Sequence, residues 1–296
     1  MLDQIDAALS ILERLKNLFM PDRQSHEIDS IASRFVRLFE KHGIHRNQIP
    51  RFFGHGLTLA DVASNEKLLL KLTHEMLQSV SELFAVRLEW LEGVDEEIYK
   101  THDFYKHPED YAEFLDQLIA DDKHRVMAKL VLSADSSKQN DALLVLEEEI
   151  DYIGNEPVVR YHLCSGWVNK YWKSRADLTA CIAITLNRSV HIHGWKKRPA
   201  IDVFCAGEGF IKDLYDLPWA SGRGWLFRRR DQSWHPEDWV YDPAAFLKGV
   251  DAERDNFGIT SALDRWLYYF DKGYMETGYY RENAHKKFTA LHEKYK

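Results

Sequence analysis

DALLVLEEEIDYIGNEPVVRYHLC, residues 141–164, decides the fold class. Two runs of branched and apolar residues flank Gly154-Asn155-Glu156-Pro157, the punctuation of an antiparallel hairpin. Upstream, MAKLVLSA (127–134) reads as another strand. Downstream, RADLTACIAITLN (175–187) places Leu178, Cys181, Ile182, Thr185 and Leu186 on a nearly all-apolar helix that must lie against a sheet. VHIHGW (190–195) and AIDVFC (200–205) are two further strand candidates, and the tail from Ile259 returns to helical spacing with many aromatics. Strands gathered around one buried helix predict an α+β protein with an antiparallel sheet and C-terminal helices.

The preceding 122 residues have the helical period throughout. Ile5, Leu9, Leu12, Leu15 and Phe19 form one amphipathic stripe ending before Pro21. Its apolar side needs cover, from neighbouring helices or from a second subunit. EIDSIASRFVRLFEKHG (27–43) carries Ile28, Ile31, Phe35, Leu38 and Phe39 on one face and stops at Gly43. HRNQIPRFFG (45–54) is short, and LTLADV (57–62) reads as a turn capped by its threonine. NEKLLLKLTHEMLQSVSELFAV (65–86) is expected as one long helix closed by WLEG, and Pro108 opens a further helix, PEDYAEFLDQLIA. The period changes at the polar DDKH (121–124), which predicts a helical domain over 1–122 and an α+β domain over 123–296.

IASRFVRLFEKHGIHRNQIPRFFG (31–54) resembles the opening of the phage-repressor-like (Xre/Cro-type) helix-turn-helix, and SELFAVRLEWLEG (81–93) resembles its closing helix. The resemblance spans about residues 28–93, a fifth of the chain. It implies a transcriptional regulator binding double-stranded DNA as a homodimer, each copy reading one half-site. Arg46, Asn47, Gln48 and Arg51 would then approach the groove, while Arg34, Arg37 and Lys41 grip phosphate. The middle departs from the family. HGLTLADVASNEK (55–67) has few basic or amide side chains, and Pro50 interrupts the helix that should precede it. The alternative is a repressor-like scaffold that contacts another protein and no DNA.

Charge bears on both readings. Of 39 basic and 47 acidic residues, residues 1–120 hold 13 and 21, so the whole net charge of -8 lies there. Arg34 to Arg51 holds five bases against Glu40 alone, whereas Glu82 to Asp116 holds eleven acids against three bases. A chain of this balance is no general nucleic-acid coat, so any DNA contact is local. The opening residues are acidic where an export signal is basic, no apolar run is long enough to span a membrane, and the expected address is cytoplasmic. Three cysteines without a CxxC pair point to reduced thiols.

In the second half, alternation puts Arg160, His162 and Cys164 on one strand face and His191 and His193 on another. Were those strands adjacent, three imidazoles would meet as zinc or iron ligands do. No carboxylate accompanies them, and no metal or cofactor is expected. Arg160, His162, His191, His193, Trp195 and the basic run Arg228, Arg229 and Arg230 are the candidates for binding a small-molecule ligand, the arginine run for an anionic ligand or a phosphate. Their layout resembles the PAS-like or GAF-like sensor domain of a one-component regulator. Glu147, Glu148, Glu149 and Asp151 suggest a metal-dependent nuclease, but alternation splits them between two faces. No GxSxG elbow, HExxH helix or phosphate loop is present, so no catalytic residue is assigned and an enzyme is not the expectation.

Overall fold

In the computed structural model, residues 142–149, the ALLVLEEE of the opening stretch, are buried without exception. A strand achieves this only when both faces of its sheet are covered. The structure describes residues 30–120, 124–133, 142–197, 201–216, 232–250, 258–275 and 281–296. Within them the helices are α1 (Ile31–Lys41), α2 (Ile49–Phe53), α3 (Asn65–Leu69), α4 (His74–Phe84), α5 (Leu88–Glu92), α6 (Pro108–Ile119) and α7 (Trp172–Asn187). There follow α8 (Asp202–Cys205), α9 (Ile211–Asp216), α10 (Asp238–Tyr241), α11 (Pro243–Leu247), α12 (Gly258–Asp271) and α13 (Arg281–Tyr295). The strands are β1 (Thr101–Asp103), β2 (Arg125–Ser133), β3 (Ala142–Ile153), β4 (Glu156–Trp167), β5 (His191–Lys197) and β6 (Gln232–Trp234).

The fold is α+β, with one mixed sheet in the order β1-β4-β3-β2-β5-β6. β3 and β4 form the expected hairpin. Ile153 pairs with Glu156, and Gly154 takes φ 66°, as the first central residue of a two-residue hairpin turn requires. β2 pairs antiparallel with β3, whereas β5 runs parallel to β2 and β1 parallel to β4. Alternate side chains serve two cores. Val131, Leu143, Val145 and Leu163 pack with Phe35, Phe39, Phe84 and Leu91 of the N-terminal helices and with Phe204 and Ile211. Leu130, Leu132, Leu144 and Leu146 pack on the other face with Cys181 and Ile184 of α7, Tyr111 of α6, Trp266 of α12 and Phe288 of α13.

Several local expectations change. Thr101–Asp103, inside the stretch read as helical, is strand β1. Residues 65–86 divide into α3 and α4, because Thr73 Oγ1 accepts the Met76 N–H at 3.2 Å and starts a new helix. AIDVFC contains α8 in place of a strand: Ile201, Phe204 and Cys205 are buried at helical spacing. Pro50 occupies the first turn of α2, where its missing N–H leaves no bond unmade. The expected ends hold at Gly43, φ 84°, just past α1, and at Pro108, the first residue of α6. The stripe from Ile5 to Phe19 lies outside the described residues. Among the described residues no helix is long and apolar enough to cross a membrane.

Candidate functional site

Of the residues expected to grip phosphate, Arg34 is buried in the helical layer, and Arg37 and Lys41 are half-buried. Arg34 is 8% exposed, and its Nη1 donates to the Trp90 carbonyl at 2.7 Å and the Asp95 carbonyl at 3.4 Å. Carbonyls near a helix C-terminus carry the negative end of the helix dipole, so α5 is a natural partner for a guanidinium. Arg37 lies 5.6 Å from the Trp90 ring centroid and 5.9 Å from that of Phe210. Lys41 pairs with Asp213 of α9, and Arg46 donates to Asn65 of α3. The Gln48 side-chain carbonyl accepts the His45 N–H at 2.8 Å and closes a capping box. Asn47 and Arg51 remain exposed.

Residues 55–67, which the resemblance would put where a base-reading helix stands, form a turn, a short 3-10 segment and the start of α3. Thr58 donates to Asp61 from both its N–H and its hydroxyl, holding the Asp61 carboxyl below its usual range. The following α3 has five residues, a length of about 7.5 Å. Among the charged Glu66, Lys67 and Lys71, three leucines are exposed: Leu59 64%, Leu69 48% and Leu70 85%. Single exposed leucines are ordinary on a protein surface; these three fall within twelve residues of the chain.

On the sheet, Arg160 and His162 converge on Glu148, which is 4% exposed. His162 Nε2 lies 2.9 Å and Arg160 Nη1 3.3 Å from Glu148 Oε2, and His124 Nδ1 lies 2.8 Å from Oε1. Burial pushes the Glu148 carboxyl up, but the His162 hydrogen bond, the Arg160 charge and His124 outweigh it and hold the group below its usual range. Arg160 Nε also donates to the Leu83 carbonyl of α4 at 2.8 Å, tying the hairpin to the helical layer.

His191, His193 and Trp195 point to the opposite sheet face, beside Lys129. β4 and β5 are three strand spacings apart, about 14 Å, so the imidazoles of His162, His191 and His193 do not meet. Lys129 Nζ bonds Glu147 Oε1 at 2.8 Å and lies 4.1 Å from the Tyr215 and 5.2 Å from the Trp195 ring centroid. His193 Nε2 is 3.1 Å from Ser233 Oγ, and His191 is exposed. Arg228, Arg229 and Arg230 lie outside the described residues. Among the described residues no three His, Cys, Asp or Glu side chains are placed to hold a metal ion.

A further polar centre escaped the sequence reading. Asp177, fully buried in α7, accepts from Tyr269 Oη, from Arg265 Nε at 3.3 Å and from the Lys106 N–H at 3.1 Å. Burial raises the Asp177 carboxyl despite these partners. Lys106 takes φ 70°, a left-handed conformation unfavourable for a side chain with a Cβ, at the point where its N–H meets the carboxylate. Its signal was present: a single carboxylate in the otherwise apolar DLTACIAI must be satisfied by partners remote in sequence. Every donor around Asp177 comes from the chain itself, so this network joins α7, α12 and the β1–α6 loop. No family model, curated protein or solved structure matches the chain.

Proposed function

We propose that the protein is an interaction module: a repressor-like helical scaffold that contacts another protein through residues 59–70. The carrying observation is the exposure of Leu59, Leu69 and Leu70 where the base-reading element of such a scaffold would stand. Two features support it. Arg34, Arg37, Lys41 and Arg46 are engaged with Trp90, Phe210, Asp213 and Asn65. The acidic run from Glu82 to Asp116 repels phosphate. The test compares the full chain with a Leu69→Asp, Leu70→Asp variant in affinity capture, beside a selection from genomic DNA fragments. A stoichiometric protein lost by the variant, with no retained DNA, supports the module. Retained DNA with protein capture unchanged by the variant defeats it.

The second reading is a transcriptional regulator: a dimer on double-stranded DNA whose α+β part senses a ligand. The exposed Asn47, just before α2, and Arg51, within it, favour it. It requires affinity that falls steeply between about 50 and 200 mM salt and weakens in Arg51→Glu.

A further inference from the structure

Between α2, α4 and the far end of β3 lies an open hollow of about 230 Å³. Phe52, Phe53, Leu83 and Ile150 form its apolar walls, and His55, Ser79 and Asp151 supply the polar groups. The walls are braced from behind. The Phe39 ring centroid is 5.6 Å from that of Phe53 and 6.3 Å from that of Phe52, and Phe35 lies 5.7 Å from Phe53; both bracing rings are fully buried. At the mouth Gly54, His55 and Gly56 take φ of 74°, 49° and 72°, a reversal that lays the His55 ring on Phe53 at 4.2 Å. Of the three, only His55 has a Cβ, and backbone of this kind is concentrated at binding and catalytic sites.

We infer that this hollow binds a small primary amine with a compact aromatic or branched body. Size sets the first limit: the volume is below the roughly 300–1,000 Å³ of drug-sized pockets, which leaves room for about ten non-hydrogen atoms. Charge sets the second. Among the described residues that line the space, Asp151 is the one carboxylate and none is lysine or arginine. Asp151 Oδ1 accepts the Tyr152 N–H at 2.7 Å, which leaves Oδ2 for an ammonium. The guanidinium behind the Leu83 wall, that of Arg160, is bonded to the Leu83 carbonyl and paired with Glu148, so it does not offset Asp151. The Phe52 and Phe53 rings offer an apolar wall for the ligand body, and the Ser79 hydroxyl is a second acceptor. A carboxylate ligand of the same shape meets Asp151 with repulsion, and a neutral one forgoes the ion pair.

The test titrates 2-phenylethylamine, 3-phenylpropionate and 2-phenylethanol into the full chain and follows the backbone amides by two-dimensional NMR. The amine is expected to shift Leu83, Ile150 and Asp151 saturably, with a Kd on the order of 1 mM. The carboxylate should give no saturable shift, and the alcohol should bind at least tenfold more weakly. Asp151→Asn, at an exposed position, should weaken the amine at least tenfold, and Leu83→Trp should abolish its shifts by filling the space. Absence of saturable shifts with the amine, equal binding of the carboxylate, or unchanged affinity in Asp151→Asn overturns the inference.

Discussion

Arg34 reaches from the middle of α1 to the Trp90 carbonyl at 2.7 Å, so the first cation of the basic segment works as an internal brace of the helical layer. Its removal takes the charged donor from a buried carbonyl that otherwise accepts only the Gly93 N–H, at 3.0 Å, among the described residues. Arg34→Met should lower unfolding free energy by about 2 kcal/mol, measured by urea denaturation. A loss within about 0.5 kcal/mol, the usual range of surface substitutions, would show the contact to be dispensable.

His42 gives the fold a defined acid sensitivity. Its Nδ1–H donates to the Leu38 carbonyl at 2.8 Å, and its ring stands 4.3 Å from Phe84. Burial pulls its pKa from 6.5 down to about 4. The folded chain then binds fewer protons than the unfolded chain, so this contribution is whole above pH 6.5 and is lost as pH falls towards 4. The loss amounts to about 3 kcal/mol. Replacing His42 by Phe should flatten the stability profile over that window; an unchanged slope would remove His42 as its source. His102, also lowered to about 4, and His193, lowered by burial, add to the slope on the acid side of the ordinary histidine range.

Glu148 should act on the acid side of that window. Its carboxyl is held below its ordinary range, so its contribution is full above the ordinary 4.5 and is lost as pH falls through the lowered value. Glu148→Gln leaves Arg160 and His162 without a charged acceptor and should cost about 2 kcal/mol at pH 7, discounted for the partial exposure of Arg160. Denaturation curves should converge with those of the parent at low pH. A deficit independent of pH would contradict the linkage.

Gly207 and Gly154 form a matched pair of tests. Both have positive φ, 77° and 66°, but a Cβ on Gly207 would lie 2.3 Å from the Tyr99 carbonyl, whereas nothing stands within 4 Å of one on Gly154. The Gly207 carbonyl also accepts the N–H groups of Ile98 and Tyr99, at 2.8 and 3.0 Å. Gly154→Ala should therefore cost about 1 kcal/mol, the backbone cost alone. Gly207→Ala should cost at least about 3 kcal/mol, since steric overlap is added to backbone strain. Thermal melts of the two variants side by side would settle the ranking, and equal losses would refute it.

Much of the architecture could be read from local chemistry. Gly154-Asn155 marked the hairpin, the apolar run around Cys181 marked a helix facing a sheet, and Gly43 and Pro108 marked helix ends. These signals act within a few residues, where backbone geometry and side-chain period are decided. The failures were also local in origin. Thr73 can cap a helix or sit inside one, and only the observed bond to Met76 decides; AIDVFC is too short for its period to separate strand from helix.

The amino-acid order by itself determined the longer strands and helices and which side chains carry charge. Tertiary packing alone decided which of those charges meet. Arg34, Arg37 and Lys41 share one side of α1 by helical spacing, but whether that side faces solvent or Trp90, Phe210 and Asp213 depends on where α5 and α9 are laid against it. Likewise His162 and His193 have the same alternation on their strands, yet the strand order puts β3 and β2 between them and turns them to opposite faces. Period is a property of the chain, whereas adjacency is set by the lowest free energy of burying both sheet faces at once.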